Sequence, residues 1–254
     1  MLDTRRETTG QVSIVGHRGA AACAPENTMA AFRQGLAHGA DIIELDVQLT
    51  ADGHVMVFHD EQLNRTTDGH GPLSTHTLAE LKRLDAGSWF GPQFAGEAIP
   101  TLEEVLVWAK DEGVPLFVEL KYPERPDPAL DATVVAALVS HRMLDQVMLI
   151  SFNHAALQRV KTYHRTLSTG ALYVVARSDP VVLAQEIGAN ALMPLCHTIT
   201  TQDVERFHTA GLSVNVWGEN ADYAGLITAG VDCVNADDPA QVRHDFFEPP
   251  LTGR

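Results

Sequence analysis

The chain has 254 residues, 45% of them hydrophobic and 20% charged, with 19 glycines and 13 prolines. That is enough for one large domain with a substantial core, and it excludes a fibrous or low-complexity chain. Eighteen basic against 33 acidic residues leave a formal charge of −15, which excludes nucleic acid and anionic membrane as partners held by a general basic patch. An anionic small molecule stays open as a ligand, provided a local positive site is built for it.

Cys23, Cys196 and Cys233 are widely spaced, odd in number and form no CxxC pair. The pattern indicates neither a disulfide framework nor a thiolate zinc site, and each is expected to be a small buried thiol. Met1–Gln11 carries two arginines with no apolar core after them. The most apolar runs, Val114–Leu120 and Thr133–Val139, are far shorter than the ~18–20 residues that span a bilayer. A soluble, cytoplasmic protein with reduced thiols is expected, without stable membrane association. The oligomeric state is left open.

In chain order, apolar runs predict strands at Val12–Gly16, Asp41–Thr50, Pro115–Leu120, Val147–Ser151, Thr169–Val174, Asn190–Pro194, Ser213–Trp217 and Asp232–Asn235. Amphipathic stretches at Thr28–His38, Thr101–Glu112, Ala129–His141, His154–His164, Val181–Ile187, Thr201–Ala210 and Asn220–Ala229 read as helices between them. The strands are solidly apolar rather than alternating, as in a parallel sheet covered on both faces. Eight strand–helix units in this length predict an α/β fold, a (β/α)8 TIM barrel forming one domain over residues 1–254. A doubly wound sheet is disfavoured, because no GxGxxG, GxxxxGK[ST] or GxSxG is present. The polar tail Glu248–Arg254 is expected to be disordered.

One segment breaks the alternation. Residues 60–100, after the second strand, form an insertion with turn signals at Asp68-Gly69, Gly71-Pro72 and Gly91-Pro92, a small helix at Leu78–Leu84, and Trp89 and Phe90. Following a barrel strand, it is placed on the C-terminal face, where barrel active sites lie.

Polar residues ending apolar strands carry the chemistry. The first strand runs into His17-Arg18-Gly19, the second holds Glu44 and Asp46, and the third ends in Glu119 and Lys121. Residues two apart share one face of a strand. Three carboxylates converging from neighbouring strands repel one another, and a divalent cation resolves the repulsion. Oxygen-only ligands favour Mg²⁺ or Ca²⁺. The alternative is that these acids merely pair with Lys121 or Arg18. Asp52-Gly53 reads as a two-residue hairpin turn, a register that sets Asp46 opposite His59 with Cβ atoms ~5 Å apart. His17 and His59 would then supply a general acid and a general base. Of the twelve histidines, His38, His141, His164, His208 and His244 read as surface or helix-end residues, and His54 and His70 as solvated turn residues.

Taken together, Gly16-His17-Arg18-Gly19, Pro25-Glu26-Asn27-Thr28, Glu44-Leu45-Asp46-Val47 and His59-Asp60 resemble the glycerophosphodiester phosphodiesterases. The resemblance continues through Leu63–Thr67, Gly96-Glu97, Ile99–Val105, Glu119-Leu120-Lys121, Ser151-Phe152 and Asn215-Val216-Trp217, nearly the whole chain. It implies a (β/α)8 barrel with an insertion after the second strand. It also implies Glu44, Asp46 and Glu119 as ligands of one divalent cation, Mg²⁺ or Ca²⁺, with His17 and His59 as catalytic acid and base. Arg18 and Lys121 would bind phosphate, and Trp217 would line the glycerol or leaving-group pocket.

Two positions depart from the family pattern. Gly218 stands where threonine is frequent, and the last strand ends in Asn235-Ala236-Asp237, so neither Asn235 nor Asp237 is assigned a catalytic role. The implied reaction is metal-dependent hydrolysis of a small glycerophosphodiester to sn-glycerol 3-phosphate and an alcohol. Water or the neighbouring glycerol hydroxyl would attack, and His59 would be the proton donor. A phospholipase-like barrel acting on lipid phosphodiesters is the nearest alternative, disfavoured by the acidic surface. A catalytically inactive phosphate-binding barrel is disfavoured because no key group is missing.

Overall fold

The computed structural model describes residues 1–122, 128–175 and 179–247. A short helix, α1 (Arg6–Thr9), precedes β1 (Ser13–Gly16), and α2 (Met29–Ala37) leads to β2 (Ile42–Leu49). A hairpin returns as β3 (Val55–Val57), and after a long excursion α4 (Leu102–Glu112) precedes β4 (Leu116–Leu120); the excursion contains α3 (Leu78–Leu81). The remaining pairs are α5 (Pro128–His141) with β5 (Val147–Ser151), α6 (His154–Tyr163) with β6 (Ser168–Tyr173), and α7 (Pro180–Ile187) with β7 (Ala191–Pro194). They are followed by α8 (Thr201–Thr209), β8 (Ser213–Val216), α9 (Tyr223–Ala229), β9 (Cys233–Ala236) and α10 (Pro239–Phe246).

All strands except β3 run parallel to their neighbours, and the sheet closes on itself where β1 pairs with β2 on one side and β9 on the other. The result is the expected TIM barrel, eight parallel strands ringed by helices. Because side chains alternate along each strand, Ile43, Leu45 and Val47 face outward into a buried cluster that also holds Phe32 of α2 and Leu102, Val105 and Leu106 of α4. Ile42, Phe117, Met148, Ile150, Leu172 and Met193 fill the interior. Burial on both faces is the reason the strands read as solid apolar runs. The same alternation turns Glu44, Asp46 and Glu119 inward, in phase with Ile42 and Phe117.

Helix ends follow local signals. Thr28 accepts a hydrogen bond from the Ala31 N–H at the start of α2, and Thr101 and Glu104 form a capping box on α4. Two short helices, α1 and α10, escaped the sequence reading, and the helix in the excursion stops at Leu81 rather than Leu84. Among the described residues, no helix is long and apolar enough to cross a membrane. Cys196 and Cys233 are buried thiols as expected, whereas Cys23 is half-buried. The expectation of disorder at 248–254 lies outside the described residues.

The hairpin register differs from the sequence expectation. Val47 pairs with Val57 and Leu49 with Val55, so Asp46 faces Phe58, whose N–H donates to the Asp46 carbonyl at 2.9 Å. The turn holds three residues, not two. The Thr50 N–H donates to the His54 carbonyl at 2.9 Å, and Gly53 takes a left-handed φ of 83°, the arrangement in which glycine follows a tight turn. His59 therefore does not sit opposite Asp46 in a ladder. It is placed instead by Gln48 of β2, whose amide donates to the carbonyls of Phe58 (3.0 Å), His59 (3.1 Å) and Asp60 (2.8 Å).

Candidate active site

Glu44, Asp46 and Glu119 meet inside the C-terminal half of the barrel. Asp46 and Glu119 are register partners across β2 and β4, and Glu44 lies two residues before Asp46. One carboxylate oxygen from each lies within 4.8 Å of the other two, and all three side chains are buried. Such a trio is stable only with cations among it or with protons on some of its members.

The turn after β1 supplies one. Arg18 adopts a left-handed φ of 49°, an uncommon conformation outside glycine, and its N–H donates to Glu44 at 2.9 Å. Its guanidinium donates to Glu26 at 2.7 Å, and Nε lies 3.4 Å from Asp46 without forming a hydrogen bond. Lys121, just past β4, donates to Glu119 at 3.0 Å and lies 3.4 Å from Asp46. Asn27, also left-handed, clamps Asp46 from behind. Its amide donates to Asp46 Oδ2 at 2.8 Å and its oxygen accepts the Asp46 N–H at 3.2 Å.

The Pro25–Thr28 segment thus has a physical account: Glu26 tethers Arg18 and also accepts from Arg65 at 2.7 Å, Asn27 fixes Asp46, and Thr28 starts α2. Glu26, Asn27 and Arg65 were not singled out as functional from sequence. The signal for Glu26 and Asn27 was the Pro-Glu-Asn-Thr string, and for Arg65 the Leu63–Thr67 string.

The charges remain unbalanced. Burial, then repulsion from Asp46, raises the pKa of Glu44 and of Glu119. Burial opposes ionisation of Asp46 as well, but Lys121 and Arg18 outweigh it and hold that carboxyl below its usual range. Arg18 is already shared with Glu26, so three buried acids face little more than one uncommitted positive charge. The donor set fits a hard divalent cation held by oxygen.

His17 and His59 stand at the rim of the same cavity, of about 670 Å³, lined also by Arg18, Glu44, Glu119, Lys121, Phe152, Trp217 and Tyr223. Each imidazole is oriented by a carboxylate at Nδ1. His17 lies 2.6 Å from Asp237, just past β9, and His59 lies 2.6 Å from Asp60, which in turn accepts from Arg65. This leaves Nε2 of each ring for proton exchange. Burial opposes a charge on His17, but Asp237 and Glu44 outweigh it and raise its pKa. Burial lowers the pKa of His59, with Lys121 and Arg18 adding to the effect against Asp46. Trp217 packs edge-on against Phe152 with ring centres 5.1 Å apart, and its indole N–H donates to the Met193 carbonyl at 3.0 Å.

All eight residues singled out from sequence are therefore brought to one place. Asp237 and Asp60 are additions. Asp60 was visible in the His59-Asp60 pair, whereas Asp237 lies 220 residues from His17 and only the closure of the barrel reveals the contact.

Comparison with known proteins agrees with this geometry. The profile of the glycerophosphoryl diester phosphodiesterase family matches residues 17–241. A glycerophosphodiester phosphodiesterase of Caldanaerobacter subterraneus is 39% identical over 228 residues, covering 89% of this chain and 94% of the relative. An Oleispira antarctica phosphodiesterase, solved in complex with the product sn-glycerol-3-phosphate, superposes with a TM-score of 0.87 at 31% identity, over 93% of this chain and 97% of that one. A glycerophosphodiester phosphodiesterase structure from Agrobacterium tumefaciens gives a TM-score of 0.79 at 33% identity, over 91% and 98% of the two chains. A barrel with this mouth, matched from the first catalytic-type histidine to α10, belongs to the glycerophosphoryl diester phosphodiesterase family.

Proposed function

We propose that the protein hydrolyses small glycerophosphodiesters to sn-glycerol 3-phosphate and an alcohol, using one divalent cation, Mg²⁺ or Ca²⁺, and the pair His17 and His59. The observation that carries this reading is the convergence on one cavity of two carboxylate-oriented imidazoles, two cationic side chains and a cluster of three buried carboxylates, of which Glu44 and Glu119 line the cavity. A cation held by Glu44, Asp46 and Glu119 would neutralise charge gathering on the phosphate oxygens.

The side chains divide the remaining work. Arg18 and Lys121 face the non-bridging oxygens and counter their negative charge. His59, biased towards its neutral form, takes the proton of the attacking hydroxyl. His17, biased towards its charged form, protonates the departing alkoxide. This order reverses the sequence-level expectation that His59 donates, and the reason is Asp237, which that expectation left out. Trp217 and Phe152 form an apolar wall suited to the carbon face of glycerol.

The deciding measurement is a phosphate-ester panel assayed with metal-stripped protein, then with Mg²⁺ or Ca²⁺ restored. Glycerophosphodiesters should turn over only with the cation present. Full activity in excess chelator would remove the cation from the account, and hydrolysis confined to other ester classes would overturn the substrate assignment.

A further inference from the structure

Away from the carboxylate trio, a second set of ligating groups converges from three separate elements. Cys23 lies in the turn after β1, His38 is the C-cap of α2, and Asp238 is the N-cap of α10. A sulfur, an imidazole nitrogen and a carboxylate oxygen from these residues all lie within 4.8 Å of one another, and each residue is half-buried. His38 Nδ1 is 3.7 Å from Asp238 Oδ1. That nitrogen is shut away from solvent and has no hydrogen-bond partner, a condition rare in folded proteins and one that needs a cause.

The surroundings supply what a metal ligand requires. The other ring nitrogen, Nε2, contacts the side-chain amide nitrogen of Gln34 one turn back on α2. A half-turn of that amide sets its oxygen there instead, so that Gln34 accepts an Nε2–H and leaves the Nδ1 lone pair for a cation. Asp238 is held in place as well, because its Oδ1 accepts the Gln241 N–H at 3.3 Å.

We propose that Cys23, His38 and Asp238 form a second cation site, chemically distinct from the carboxylate trio, for a thiophilic divalent ion such as Zn²⁺. Sulfur, nitrogen and oxygen ligands in this number suit tetrahedral Zn²⁺, with water as the fourth ligand. The thiol gives its proton to solvent as the metal–sulfur bond forms. Mg²⁺ and Ca²⁺ have little affinity for a thiolate, so the two sites sort cations by hardness. Spacing along the sequence hides the cluster, since the three residues lie far apart in the chain and only the folded barrel brings them together. An occupied site would tie the turn after β1 and the end of α2 to the residue following Asp237, the carboxylate that orients His17.

Cobalt is the probe, because a thiolate–Co²⁺ bond absorbs in the near ultraviolet whereas oxygen-ligated Co²⁺ does not. The metal-stripped full chain, titrated with Co²⁺ under saturating Mg²⁺, should develop this band at one equivalent, and Zn²⁺ should bleach it. The band should vanish in Cys23→Ser, which leaves Cys196 and Cys233 intact. Gln34→Ala, which touches the ligand set only through His38, should weaken Co²⁺ binding by ~10–100-fold. Circular dichroism of each variant confirms that it is folded. Absence of the band in the native chain, or an equal band in folded Cys23→Ser, overturns the proposal.

Discussion

At the scale of single residues, the site depends on charges that are buried before any substrate arrives. Glu44→Gln keeps the shape of the side chain and removes one of three negative ligands. Cation affinity, measured by titration calorimetry, should fall at least about tenfold, which is ~1.4 kcal/mol, while the fold is retained. Unchanged affinity would show that Glu44 is no ligand. His17→Ala and His59→Ala should each lower kcat by roughly 10²–10⁴, and the double variant should fall short of the product of the two losses because both act in one transition state. A nitrophenyl phosphodiester needs little help from an acid, so it should rescue His17→Ala and not His59→Ala. Rescue of the other variant would reverse the two roles. Asp237 and Glu44 raise the pKa of His17, and a donor works only while protonated, so activity is lost as pH rises through that pKa. Asp237→Asn removes part of the raising influence. The alkaline limb of kcat/KM should therefore move to lower pH, and a limb that stays in place would separate Asp237 from His17 function.

At the scale of elements, the strand and helix windows were readable because burial on both sheet faces leaves an apolar run for each strand and a cap for most helices. Thr28, Thr101 and Thr200 each stand where the structure places a helix N-cap. What misled was the Asp52-Gly53 pair. It is a strong turn signal, but the choice between a two- and a three-residue loop rests on the Thr50 hydroxyl, which accepts the His54 N–H at 2.8 Å. The helix α10 also carried a signal, Asp238 as cap and Pro239 at its first turn. The inward positions of the three acids followed from strand parity, whereas Arg18 and Lys121 lie just past strand ends, where a resemblance and not parity singled them out. The carboxylate behind His17 did not, because Asp237 reaches it through closure. The turn that carries His17 and Arg18 is tightly packed: a Cβ on Gly16 would come within 2.2 Å of the Gly19 carbonyl oxygen. Gly16→Ala should destabilise the protein by about 1–3 kcal/mol, read from urea unfolding, and should lower kcat as the turn shifts. A variant of native stability and rate would show that the turn can absorb the methyl group.

At the scale of the whole molecule, a surface of net charge −15 surrounds a mouth where Arg18 and Lys121 are offset by three acids, and the proposed cation would tip that balance to positive. The acidic surface disfavours polyanions in general, so a cation-loaded mouth would admit a single phosphodiester selectively from the first encounter. The barrel's closure carries a different consequence. β1 pairs with both β2 and β9, and His17, directly after β1, is oriented by Asp237, directly after β9. The two halves of this pair are thus translated 220 residues apart. A ribosome-bound chain ending before β9 holds His17, Arg18, Glu44, Asp46, His59, Glu119, Lys121 and Trp217, yet lacks both the edge that seals the barrel and the carboxylate that orients His17. Orientation of His17 therefore waits until β9 and the residue that follows Ala236 have been made, however early His17 itself emerges from the ribosome.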